Sequence, residues 1–199
     1  ACQTEGLREL AESGDAEAGS ALRAHLDFFL DDEKGVVFND PRSNLRENGN
    51  FHSREDFLPF TAIASVYPEH KAVSMFLEWA APHMERSAKI PPNRRLLSTE
   101  MCYTYAYPLM KIAVARGDAK LAQTALDDVD RLVCPDGGIC QSAQANRNPK
   151  LKNWGRGAAW YMLGLVQTLR ALGSSPLKNA GLQGAEKIKK ALAGGAEYL

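Results

Sequence analysis

Residues 98–132 constrain the fold more than any other stretch. The apolar run STEMCYTYAYPLMKIAVA is followed at once by the turn RGD and then by AKLAQTALDDVDRLV, where Leu121, Ala125, Val129 and Leu132 recur at helical spacing. A run that is apolar nearly all round predicts a helix covered on more than one face. A single stripe predicts a half-solvated helix lying beside it. So short a turn leaves an antiparallel hairpin as the only connection the two can make. A chain organised around such a unit stacks hairpins into an inner and an outer helical layer.

The remaining segments agree with that pattern. Helices are predicted over residues 16–30, on Ala21, Leu22, Leu26 and Phe29, and over about 54–66, 69–86, 98–116, 118–132, 154–172 and 180–198. Breaks fall at Tyr67-Pro68, Ile90-Pro91-Pro92, Gly117-Asp118, residues 134–153 and Gly173-Ser174-Ser175-Pro176. Residues 31–50, rich in Asn, Asp and Gly, read as a long loop with a short extended piece at 36–38, and essentially no strand is expected elsewhere. No short period recurs, so an α/α toroid fits better than a tetratricopeptide array. The fold class is therefore all-α, an α/α toroid of six-hairpin type. Since about seven helices cannot close a ring of six hairpins, the toroid is incomplete within residues 1–199, read as a single α/α-hairpin domain that forms part of an (α/α)6 barrel. An oligomer, or a second chain completing the barrel, is the expected consequence.

Charge excludes one class of partner. Lys plus Arg (24) equals Asp plus Glu (24), so nothing supplies the basic stripe that nucleic acid requires. No apolar run reaches the roughly 20 residues of a membrane span, and ACQTEGLREL lacks the regions of a signal peptide, so a soluble chain is expected. Ala1-Cys2 also fits the remnant of a lipoprotein cleavage site, which leaves the compartment open. Cys134 and Cys140 flank the turn PDGG and suit either a short disulfide loop or two thiols. With no CxxC pair, no paired histidines and no phosphate loop, neither a metal nor a cofactor is expected.

Chemistry concentrates in NWGRGAAWYMLGLVQTLRAL, residues 153–172. Trp154, Arg156 and Trp160 crowd the first turns of a predicted helix, with Ala159, Met162, Leu163, Val166 and Leu169 as its packing stripe. Indole faces stack on the C–H surface of a sugar ring, and a guanidinium offers a planar fork to a carboxylate, so the trio suits an acidic sugar. The competing reading makes both tryptophans core anchors and Arg156 a cap on a neighbouring helix.

Across residues 98–172 the chain resembles the unsaturated uronyl hydrolases, the glucuronyl and rhamnogalacturonyl hydrolases that act on products of polysaccharide lyases. The resemblance rests on the proline-containing inner helix, an outer helix, an aspartate-glycine turn and the W-x-R-G-x-x-W string of Trp154, Arg156, Gly157 and Trp160. It implies an (α/α)6 barrel in which a carboxylic acid protonates the double bond of a 4,5-unsaturated uronic acid, after which water adds and the sugar falls apart. The family's aspartate, seven residues before the proline, falls at Met101, with Glu100 one place earlier, and the histidine expected after the turn is missing from ICQSAQANR. A slight helix adjustment turning Glu100 inward among Met101, Tyr103 and Tyr105 would make it the proton donor; otherwise it caps the helix with Ser98 and Thr99.

A second polar group, NGNFHSREDFLPF, gathers Asn50, His52, Arg54, Glu55 and Asp56 at a helix mouth. Asp56 is an alternative proton donor and His52 a substrate contact, beside the plainer reading of Ser53 as an N-cap with first-turn carboxylates. Three functions follow. The first is a glycoside hydrolase acting on unsaturated uronyl oligosaccharides, with Glu100 or Asp56 as acid and with Trp154, Arg156, Trp160, His52 and Tyr103 holding the sugar. The second is a non-catalytic carbohydrate-binding or scaffold protein. The third is a toroid-type polysaccharide lyase using Asn50, His52, Tyr103 or Tyr105, and Arg156.

Overall fold

The computed structural model describes residues 2–36, 57–89, 100–132 and 155–196. Among these the chain is all-α apart from one two-stranded pair. Helices α1 (Cys2–Glu12) and α2 (Ala16–Asp27) form a first hairpin. Helix α1 was not expected, because its inward face is polar: Thr4, Glu5 and Arg8 are buried while Leu10 is exposed. A search for apolar periodicity passes over such a helix. Helix α2 starts where the Asp15 carboxylate accepts the Ala18 N–H at 2.9 Å, and it buries Ala18, Leu22 and Leu26 at every fourth position. It ends at Asp27, short of the expected boundary, leaving Phe28 exposed and Ala21 on the outer side.

The supposed loop after it begins with structure. Strands β1 (Leu30–Asp31) and β2 (Gly35–Val36) pair antiparallel, in register Leu30 to Val36. Asp31 accepts the N–H groups of Glu33 (2.9 Å) and Lys34 (2.7 Å), a side-chain turn that periodicity does not report. Helix α3 (Phe60–Val66) starts only after Pro59, and α4 (Lys71–Lys89) runs on through Pro82.

The predicted helix over 98–116 divides into a π-helical turn, Cys102–Ala106, and α5 (Tyr107–Arg116). Helix α5 is the centre of the molecule, packed against α3 and against α6 (Ala119–Leu132), and burying Leu109, Met110, Ile112 and Ala113. The RGD turn works as the sequence suggests. Gly117 takes a left-handed conformation (φ 65°) that closes α5, and Asp118 accepts the Leu121 N–H at 2.9 Å to open α6. Helix α6 buries Leu121, Ala122, Ala125, Leu126 and Val129 on one face only.

Helix α7 (Gly155–Gly173) lies across α5 and the π-helical turn, a 3-10 turn (Pro176–Asn179) follows, and α8 (Ala185–Ala196) packs back on α7. Here the expected packing stripe is corrected. Gly157, Ala158, Tyr161, Gly164, Leu165 and Thr168 face inward, whereas Ala159, Leu163 and Val166 face outward, with Met162 and Leu169 between. At one position the reason is close approach: a Cβ on Gly164 would stand 2.3 Å from the carbonyl carbon of Cys102, so glycine there lets the two backbones meet, while Tyr161 and Leu165 are buried on the same face. Eight α-helices are present among the described residues, one more than the sequence pattern predicts.

Candidate functional site

Glu100 stands just ahead of the π-helical turn, where its carbonyl accepts the N–H of Thr104 at 3.0 Å. Directly below, the Tyr107 N–H reaches back to the Cys102 carbonyl, five residues away, which inserts one extra residue into the helix. Such an insertion moves everything upstream by one position, about 100° around the axis. Glu100 thereby takes the angular place that the residue seven before Pro108 holds in an uninterrupted helix.

The first turns of α7 face this point. Arg156 Nε lies 3.6 Å from Glu100 Oε1, with the arginine side chain 69% exposed and the glutamate 23%. One turn further along α7, Trp160 stacks on Tyr103, ring centroids 5.2 Å apart and planes inclined by 27°. Four of the expected site residues, Glu100, Tyr103, Arg156 and Trp160, therefore meet at one place. Trp154, Asp56 and His52 lie outside the described residues, as do Asn50, Ser98, Thr99 and the Cys134 and Cys140 pair. Tyr105 points away, with its ring 5.9 Å from Phe57 and 6.5 Å from Phe76 in the core. Tyr105 thereby lies apart from the Arg156 cluster, whereas Cys102 and Tyr103 both face α7.

A polar network that sequence reasoning missed continues from this cluster. Tyr103 also stacks on Tyr107, at 5.6 Å and 17°. The Tyr107 hydroxyl donates to Glu5 Oε1 (2.8 Å) and accepts from an Arg8 terminal nitrogen (2.8 Å). Arg8, 1% exposed, holds Glu5 through two hydrogen bonds of 2.7 and 3.1 Å and also pairs with Glu9 and Glu12. Thr61 donates to Glu5 from α3, Lys111 donates to Glu12 from α5 at 2.6 Å, and Arg170 reaches Glu9 from α7 at 2.8 Å.

Burial alone would push the Glu5 carboxyl up, but hydrogen bonds from Arg8 and Thr61 and the Arg8 charge outweigh it and hold Glu5 below its ordinary value. Glu12 follows the same balance against Lys111 and Arg8 and is held down at about 2. Burial and the Glu5 charge push the Tyr107 hydroxyl far up, so it stays a donor at any working pH. The one available signal was Glu5, Arg8 and Glu12 at helical spacing, which reads equally well as a surface ladder.

Other features are less suited to chemistry. A cleft of about 310 Å³ opens between α1, α2 and α3, lined by Arg8, Glu12, Asp15, Arg23 and Ser65 among others, and its charges are mixed. The Cys102 thiol is fully buried, and burial together with the Asp128 charge pushes it far up, so it is no nucleophile. Among the described residues no group of three His, Cys, Asp or Glu side chains is placed to hold a metal ion, and no helix is long and apolar enough to cross a membrane. Neither the sequence nor the structure matches any family model, curated protein or solved structure compared with it.

Proposed function

We propose that the protein is a glycoside hydrolase of the unsaturated uronyl hydrolase type, with its site where Glu100 and Arg156 meet the stacked Tyr103 and Trp160. That meeting carries the reading, since it joins a carboxyl group, a guanidinium and an apolar ring face within one helix crossing. Trp160, backed by Tyr103, offers its face to the sugar ring. Arg156, largely exposed, takes the uronate carboxylate. Glu100 donates its proton to C4 of the double bond, and water adds at C5 and returns a proton to Glu100. The resulting hemiketal opens and the attached sugar departs. The one-residue insertion beneath Glu100 supports this assignment, because it supplies the helix adjustment the role requires.

The same reading takes an oligosaccharide as substrate and an (α/α)6 toroid as the scaffold, supported by the sequential hairpins α1 with α2, α5 with α6 and α7 with α8. An oligomer or second chain completing the ring is part of it, supported by Leu163 and Val166, which α7 leaves 40% and 43% exposed. Light scattering on sized protein tests that part, and a mass of one chain at every concentration overturns it.

Incubation with lyase-generated unsaturated uronyl disaccharides should bleach the ultraviolet band of the conjugated double bond. Glu100→Gln should lower that rate by roughly 100-fold or more while leaving binding intact. Absorbance unchanged in wild type removes the hydrolase reading. Binding without turnover would favour the carbohydrate-binding reading, which the engagement of Glu100 by Arg156 also fits. Absorbance that grows on intact polymer would mark a lyase instead.

A further inference from the structure

Three rings run inward from the site: Trp160, Tyr103 and Tyr107, with Tyr103 the shared member of both stacks. The inner end of the run is unusually constrained. Tyr107 is buried, its hydroxyl is held on one side by Glu5 and on the other by Arg8, and the Arg8 guanidinium also lies 6.0 Å from its ring centre. Both holders come from α1, a helix about a hundred residues earlier in the chain, and Glu5 is itself fixed by Thr61 from α3. A hydroxyl held at two points by charged partners fixes the tilt of its ring as well as its position. Stacked rings at these separations then pass that tilt on, since offset stacking has a narrow range of favourable planes.

We infer that Tyr107, held by Glu5 and Arg8, is a positioning residue that sets the plane of Trp160 through Tyr103. The inference rests on the carbohydrate reading for its purpose, because a sugar platform must present one flat face at a fixed angle. It also gives a reason for a buried charged network at this place. An apolar contact at Tyr107 would fill the space equally well but would leave the ring free to tilt.

The test compares wild type, Tyr107→Phe and Glu5→Gln, using Trp160→Phe to identify the part of the near-ultraviolet circular dichroism that Trp160 contributes. Tyr107→Phe keeps the ring and removes only the held hydroxyl. With the far-ultraviolet spectrum unchanged, it should reduce the Trp160 band and raise KM for an unsaturated uronyl disaccharide about 2- to 10-fold, with kcat little changed. Glu5→Gln should move the same readouts in the same direction, and it decides the matter if Tyr107→Phe does not fold. A folded variant whose Trp160 band and KM match wild type overturns the inference and leaves Tyr107 a packing residue. If wild type binds no disaccharide, the carbohydrate reading is lost, while the band alone still decides whether Tyr107 orients Trp160.

Discussion

Arg8 shows what one buried charge can do when every partner is in reach. Its guanidinium satisfies Glu5 and Tyr107 inside the molecule and Glu9 and Glu12 toward its edge, so the cost of removing it from water is met by charge-assisted hydrogen bonds. Removing it alone would leave Glu5 buried without its counter-ion. Arg8→Ala should therefore lower stability by about 3–5 kcal/mol in denaturant titrations, and a loss below about 1 kcal/mol would mean that Glu5 finds water instead. The residues that could be read from the sequence were those with distinctive chemistry in a distinctive string. Arg156 and Trp160 were visible in W-x-R-G-x-x-W, and Tyr103 and Glu100 in the helix ahead of Pro108. Glu5, Arg8, Thr61 and Tyr107 were not, because each is ordinary by itself and Thr61 and Tyr107 reach Glu5 only across separations of 56 and 102 positions.

Helices follow periodicity where their buried face is apolar and depart from it where the face is not. Helix α6 buries Leu121, Ala125 and Val129 as their spacing predicts and α5 is buried over most of its length, whereas α2 buries Leu22 and Leu26 of its predicted stripe and leaves Ala21 exposed. Helix α1 escapes detection through its polar face, and α7 turns Leu163 and Val166 outward while burying Gly164 where it meets the Cys102 backbone. Sequence pattern ranks residues by hydrophobicity, but contact between two backbones selects for size, and at Gly164 size decides. Gly164→Ala would press a methyl group against the Cys102 backbone, so we expect a loss of about 1–3 kcal/mol. The displacement should also disturb the Tyr103 and Trp160 stack, seen as a change in near-ultraviolet dichroism. Gly173→Ala, with open space around the new Cβ, is the control. It should be neutral or stabilising by up to about 1 kcal/mol, and equal losses at both positions would refute the crossing argument. The π-helical turn was equally invisible, since nothing in CYTYA distinguishes five residues per hydrogen bond from four.

On the scale of the whole molecule, the polar network joins four helices: α1 supplies Glu5, Arg8, Glu9 and Glu12, α3 supplies Thr61, α5 supplies Tyr107 and Lys111, and α7 supplies Arg170. Cohesion between α1 and the rest of the bundle therefore depends on carboxylates remaining charged. Glu5 and Glu12 both have folded values depressed below the ordinary 4.5, Glu12 to about 2. A depressed carboxyl contributes its full stability above the unfolded value and loses it as pH falls through the folded one. Stability should thus hold near neutrality and decline between pH 4.5 and about 2, read as a falling Tm. Glu12 is partly open to solvent, so its share is reduced by screening, and salt should shrink it further. The buried Glu5 should be less sensitive to salt. Glu12→Gln should lower Tm at neutral pH and flatten the acid limb, whereas Glu17→Gln, on the exposed side of α2, should leave both unchanged. Hydrogen exchange adds the spatial test: as pH falls, amides of α1 should lose protection before those of α5, which is held by apolar contacts that do not titrate. Simultaneous loss in both helices would mean that α1 is held by its hairpin with α2 and not by the carboxylates.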